Sequence, residues 1–220
     1  EKCNCLIQKL LSRTYQLSNI HELEYENFET FDSSIFPDTP EPGSKMSQRQ
    51  YMEELKVRLE KYVSQFPDND RRVILFTGKT GLGKTFLLNC MAKEILDKAY
   101  TVIRISAYKL FDQLFYSAVT DQGEYEELQK QLFDVDVLII DDLGTETRRN
   151  NFTTEDLFNI LNERSILSKH TFLSTNLGLG ELRERYSDRI TSRLFDRSNT
   201  MLIRFKGQDV RLRPRNNLKK

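Results

Sequence analysis

GKTGLGKT, residues Gly78–Thr85, decides how this chain folds. It fits G-x-x-x-x-G-K-[ST], a loop whose backbone N–H groups curl around phosphate oxygens while a helix N-terminus adds partial positive charge. The surroundings are those the motif needs. The apolar run VILF (73–76) precedes it as a strand, and FLLNCMAKEIL (86–96) follows as a helix. The expected phosphate cradle is Gly78, Lys79, Thr80, Gly81, Leu82, Gly83, Lys84, Thr85 and Phe86. Lys84 is expected on the β- and γ-phosphates of a nucleotide, and the Thr85 hydroxyl on Mg²⁺. A plain glycine-rich turn is the bland alternative, and the flanking strand and helix speak against it.

Moving outward, apolar runs and helical patterns alternate. TVIRI (101–105), VDVLII (135–140), HTFLST (170–175) and MLIRF (201–205) read as further strands, with helical segments near 83–98, 107–118, 124–133, 153–168 and 180–196. Such alternation means βαβ units and a mostly parallel sheet, hence an α/β fold. VLII is apolar at consecutive positions, as a strand covered on both faces should be. Upstream, Ser47 and Gln50 form a capping-box pattern that opens a helix over about 47–66. Its stripe is Tyr51, Leu55, Leu59, Tyr62, Val63 and Phe66. PDTPEPG (Pro37–Gly43) reads as a linker, and a short helix is expected at Leu6–Leu17.

Ligands of an open α/β sheet sit beyond the C-terminal ends of its strands. IIDDLG (Ile139–Gly144) delivers two carboxylates there: Asp141 for Mg²⁺ and Asp142 to orient or deprotonate a water. Asn176, ending the next strand in STN, is placed to reach the same water or the γ-phosphate; an ordinary turn Asn is the equal alternative. Arg189 and Arg193 stand four residues apart in DRITSR and share a helix face. They are either a solvated face or a finger that completes a neighbour's site.

Composition excludes some classes. The 220 residues carry 33 basic and 33 acidic side chains, so overall charge points neither toward nor away from nucleic acid. No apolar run approaches the roughly 18 residues a membrane span needs. Three cysteines make a poor disulfide framework, and a cytoplasmic protein without membrane partners is expected. Cys90, within the helix after the loop, is expected to be a core thiol.

GKTGLGKT, IIDDLG, LFNILNER (157–164), STNLGLGEL (174–182) and RYSDRITSRL (185–194), in that order, resemble the AAA+ core of the bacterial helicase loaders, the DnaC/DnaI family. The similarity runs from about residue 46 to the end and includes KGQDVRL (206–212). It implies an AAA+ P-loop ATPase with a five-stranded parallel sheet of order 5-1-4-3-2. Because few residues of the sequence follow the last strand, the helical lid of larger AAA+ proteins, with its sensor-2 arginine, is not expected. By this resemblance Asn176 is the sensor-1 residue, Arg193 the arginine finger and Arg189 its supporting partner. The catalytic set is then Lys84, Asp141, Asp142, Asn176, Arg193 and Arg189. The implied cofactors are ATP and Mg²⁺. The implied partners are single-stranded DNA, a DnaB-type replicative helicase and further copies of the chain. Arg104, Tyr108 and Lys109 are the DNA-contact candidates, although Tyr108, Phe111, Leu114 and Phe115 also have the spacing of core residues. The tail RLRPRNNLKK (211–220) is another basic patch. Asp142 stands where most AAA+ ATPases place Glu, which implies slow or assembly-dependent turnover.

The resemblance further implies an N-terminal zinc module. Cys3 and Cys5 match the last C-x-C of that module, with His21 a weak further ligand, so residues 1–45 read as its remnant plus a linker and 46–220 as the ATPase domain. Four ligands make a structural zinc site, so two should hold zinc poorly. The opening EKCNC then reads as the edge of a longer chain. The nearest rival is an IstB-type transposition helper ATPase on the same core. A small-molecule kinase would need a closing lid, and a GTPase would need an N-K-x-D motif, which is absent.

Overall fold

The computed structural model describes residues 23–40, 43, 45–147, 149 and 152–212. Cys3, Cys5, His21, the helix expected at Leu6–Leu17 and most of the basic tail lie outside the described residues.

Five parallel strands form one sheet: β1 (Val73–Thr77), β2 (Val102–Ser106), β3 (Val137–Leu143), β4 (His170–Thr175) and β5 (Thr200–Arg204), in the order β2-β3-β4-β1-β5. This is the order the resemblance implies, written from the other edge. Seven helices accompany the described strands: α1 (Gln48–Ser64), α2 (Lys84–Asp97), α3 (Ala107–Thr120), α4 (Gln122–Asp134), α5 (Phe152–Ile166), α6 (Leu179–Arg185) and α7 (Asp188–Leu194). Beyond β5 the described residues hold only a 3-10 turn, Val210–Leu212.

Residues along β3 alternate between two cores. Val137 and Ile139 join the layer under α1 and α2, whereas Leu138 and Ile140 join the layer under α3 to α7. All four are fully buried, which explains the unbroken apolar run. Burying one such side chain contributes roughly 1.5–3 kcal/mol. The Ser47 capping box forms as expected, with Ser47 and Gln50 each satisfying the other's backbone N–H. Leu55, Leu59, Tyr62, Val63 and Phe66 are buried, Tyr51 partly, and Met52 joins them. Leu23, Phe28 and Phe36, from the zone upstream of the proline-rich stretch, pack into this same layer.

Two expectations need correction. The segment 180–196 is not one helix: α6 stops at Arg185, Tyr186 turns extended, and Ser187 caps α7. Tyr186 is buried with its hydroxyl on the Glu146 carboxylate, and that long-range anchor breaks the helix. Tyr108 is not a core residue: it is 52% exposed, while Phe111 and Leu114 of the same helix are buried and Phe115 is half-buried.

Candidate active site

The ends of β3, β4 and β1 lie side by side. Thr77 is in register with Thr175, and Thr175 with Leu143, so whatever follows these strands converges. The phosphate loop leaves β1 and turns on glycines. Gly78, Gly81 and Gly83 all have positive φ, which side-chain-bearing residues rarely adopt. A Cβ on Gly78 would lie 2.4 Å from the Phe205 carbonyl oxygen, so the loop also needs glycine for space. Gly83 caps α2, and Lys84 and Thr85 open that helix.

Lys84 Nζ donates to the carbonyls of Gly78 (2.6 Å) and Lys79 (2.7 Å) and to Asn176 Oδ1 (2.8 Å). Burial pulls its ammonium below the usual value, and the carboxylates of Asp142 and Asp141 pull it back up. Thr85 Oγ1 donates to Asp141 Oδ1 at 3.3 Å.

The two carboxylates sit on a bulge. Between Ile140 and Leu143, β3 spends two residues where β4 spends one, Ser174. Asp142 takes up the slack with φ of 55°. Ser174 serves both: its hydroxyl donates to the Asp141 carboxylate and accepts the Asp142 N–H at 2.9 Å. Asp141 thus points to Thr85, and Asp142 to Asn176, whose Nδ2 donates to it at 3.2 Å. Burial, then the neighbouring Asp141, raises the Asp142 carboxyl above the usual range.

The sequence places Lys84, Thr85, Asp141, Asp142 and Asn176 at strand or helix ends, and the structure brings all five together. Arg193 and Arg189 lie elsewhere, on α7. The Arg193 guanidinium stacks 4.4 Å from the Phe158 ring and donates to Asn162 Oδ1 at 2.5 Å; Arg189 lies 5.5 Å from the same ring. Arg104 is not on an outward face with the exposed Tyr108 and Lys109. It runs along β2, 15% exposed, and pairs with Asp141 Oδ2 at 3.1 Å. Cys90 is fully buried, and burial pushes its thiol far above the usual value.

Two parts of the cleft come from segments that the sequence reading did not assign to it. The cleft, 430 Å³, is walled on one side by Phe31 and Phe36 from the N-terminal segment and on the other by Arg211 from the turn after β5. An arginine of the described residues therefore does reach the site from the C-terminal side, carried by the turn after β5. The reason is a docked tail: Val210 N donates to the Gly81 carbonyl at 3.0 Å, and the Asp209 carboxylate lies where a Gly81 side chain would be. Arg211 is close enough to lower both Lys84 and Asp142 electrostatically. The tail's own motif, KGQDVRL, is the one trace of this in the sequence.

The parallel order, the glycine loop, the paired aspartates and the strand-end asparagine define an AAA+ P-loop nucleotide-binding domain. More particularly, the chain belongs to the family described as IstB-like ATP binding protein, whose model matches residues 48–217. It is 26% identical over 133 residues to the replicative helicase loader DnaC of Escherichia coli (strain K12), covering 60% of this chain and 54% of DnaC. The match thus spans about half the length of that relative. It is 25% identical over 218 residues to the phage-like element PBSX protein XkdC of Bacillus subtilis (strain 168), covering 97% of this chain and 77% of XkdC. Among solved structures, the crystal structure of the DnaC helicase loader aligns with a TM-score of 0.66 at 21% identity, over 84% of this chain and 99% of that one. That likeness is one of fold. No helix of the described residues is long and apolar enough to cross a membrane.

Proposed function

We propose that this chain is an ATPase that delivers a hexameric DnaB-type replicative helicase to single-stranded DNA, with hydrolysis controlled by a neighbouring copy. The observation that carries this reading is a division of labour. Lys84, Thr85, Asp141, Asp142 and Asn176 share one cleft, while the contacts of Arg193 are to Phe158, Asn162 and the Arg189 carbonyl. A cleft with its own lysine and carboxylates, and arginines held on a separate helix, suits a site completed in trans.

The residues fit ATP with Mg²⁺. The loop's glycines adopt the positive-φ conformations of a phosphate loop, and the Thr85 hydroxyl beside the Asp141 carboxylate is the hard-oxygen pair that Mg²⁺ prefers. Mg²⁺ supplies charge neutralisation on the phosphates. Lys84 meets the β- and γ-phosphates. Asn176 bridges Lys84 to Asp142 and so holds the base beside the loop lysine. Asp142 orients a water and accepts its proton, and its short side chain keeps turnover slow. Arg211 adds positive charge at the cleft wall. For DNA, Tyr108 and Lys109 remain the candidates on α3, because stacking aromatics and cations make single-strand sites; Arg104 serves Asp141 instead.

The description of the family supports a second reading, a transposition helper of the IstB type. A pull-down of the full chain against a hexameric replicative helicase, with and without ATP, tests the choice. ATP-dependent retention of the helicase is expected. A chain that ignores the helicase and retains a transposase would overturn the loader reading.

A further inference from the structure

Glu146 follows the paired aspartates by four residues and is buried although charged, its side chain 1% exposed. Its carboxylate accepts four hydrogen bonds: from Gly144 N (2.7 Å), Arg185 Nε (3.1 Å), Arg185 Nη2 (2.9 Å) and Tyr186 Oη (2.6 Å). Arg185 Nη2 also donates to the Glu146 carbonyl at 2.7 Å. Three of these donors converge on Oε1 and one reaches Oε2, so every partner of the carboxylate is a group of the fold itself. At 1% exposed and apart from the lining of the cleft, Glu146 is built into the fold and is not a catalytic group.

What it joins matters more. On one side is the loop that carries Asp142. The Asp142 carbonyl accepts from both Thr145 N (3.1 Å) and Thr145 Oγ1 (2.8 Å), and Gly144, at φ of 105°, packs so closely on Leu177 that a Cβ would come within 2.6 Å of it. Asp142, Asn176 and Glu146 therefore belong to one stiff corner. On the other side are Arg185 and Tyr186, the last turn of α6 and the break before α7. Ser187 caps α7, and Arg189 and Arg193 project from it onto Phe158. From the Asp142 loop to the arginine helix there is an unbroken run of covalent and buried polar contacts.

We propose that Glu146 is a positioning residue for the arginines of α7: it clamps the Arg185–Tyr186 corner to the Asp142 loop, so that one subunit's phosphate site and the arginines it offers a neighbour are set together. The inference rests on the trans-arginine reading above.

A mixing experiment with the full chain separates the two. Arg193→Ala subunits keep a phosphate site but offer no finger. Lys84→Ala subunits lose the site but keep the finger, so mixing them should restore ATP hydrolysis. Donors carrying Lys84→Ala with Glu146→Gln, or Lys84→Ala with Tyr186→Phe, should restore roughly tenfold less. The donor's own site is already dead, so this loss reports only the arginine face. Tyr186→Phe keeps the buried ring and serves if Glu146→Gln unfolds. In an otherwise native chain, Tyr186→Phe should leave the nucleotide dissociation constant unchanged. Full restoration by both double-variant donors overturns the inference. So does an equal loss of nucleotide binding and donor activity in Tyr186→Phe, which marks a merely structural role. If Lys84→Ala subunits restore nothing at all, the trans-arginine reading itself fails.

Discussion

Lys84 Nζ and Asn176 Oδ1 are 2.8 Å apart, although 92 residues of chain separate them. The other end of the same amide, Nδ2, donates to Asp142. One side chain at the end of β4 thus spans the loop cation and the acidic bulge. Asn176→Ala removes both contacts while leaving the loop backbone intact. Nucleotide affinity should change little, and turnover should fall about 10²-fold, the usual cost of one preorganised donor. Equilibrium binding of a fluorescent nucleotide beside steady-state hydrolysis checks the split.

Asp142 must be ionised to accept a proton, and burial with Asp141 beside it raises its pKa. Hydrolysis should therefore be lost as pH falls through a value above the ordinary carboxylate range, and be fully present above it. Replacing Asp142 with Asn should remove both the activity and this acid limb. A pH profile of kcat/KM, taken at subsaturating nucleotide, measures it.

Arg211 reaches the cleft only because the tail is pinned at Gly81 and Gln48. Gln48 exchanges two hydrogen bonds with the backbone of Gln208, 3.2 Å and 3.0 Å. Arg211→Ala should weaken binding of a triphosphate more than that of a diphosphate, by roughly two- to fivefold, since Arg211 is 62% exposed and also pairs with Asp209, and exposed charge pairs are worth about 0.2–1 kcal/mol. Gln48→Ala, remote from the nucleotide, should reproduce part of the effect by loosening the tail. Competition titrations with both nucleotides decide it.

Much of this was legible because it is local or periodic. The glycine loop and the runs VILF and VLII each carry their own signal, and strand–helix alternation puts the strands' C-terminal ends on one edge of the sheet, while their order came from the resemblance. The residues that escaped are those whose role depends on a distant partner. The bulge at Asp141–Asp142 exists because Ser174 of β4 faces two residues of β3. The break at Tyr186 exists because of Glu146. Arginines are read as surface residues, yet Arg104 is held by Asp141 and Arg164 by carbonyl oxygens, and no periodicity in α5 distinguishes a buried arginine from a solvated one.

Arg164 is fully buried, and the hydrogen bonds of its guanidinium among the described residues go to carbonyls and a hydroxyl. Its guanidinium donates to the carbonyls of Leu132 (2.6 Å), Val135 (3.0 Å), Asp136 and His170, and to Thr171 Oγ1 (2.9 Å). It joins the end of α4 to the starts of β3 and β4. Arg164→Met fills similar space but leaves these acceptors dry. Stability should drop by about 3–5 kcal/mol. Denaturant unfolding of the two proteins tests this, with nucleotide affinity per folded molecule unchanged because the site lies at the opposite ends of the strands.

His170 opens β4 between the rings of Phe66, 4.6 Å away, and Phe172, and is 3% exposed. Burial, then the charges of Arg72 and Arg164, holds its pKa down to about 4. The unfolded chain takes up a proton near pH 6.5, and the folded one does not until near pH 4. Between those values the unfolded state binds more protons, so this group's contribution is full above pH 6.5 and is lost as pH falls. Asp156 acts in the opposite sense: burial pushes it up to about 6, so the folded chain holds its proton longer. A comparison with His170→Phe cancels that second group. From pH 7 to pH 4 the native chain should lose about 3 kcal/mol relative to the variant, the energy equivalent of the shift. Parallel unfolding curves in both proteins across that range would show that His170 is not held neutral.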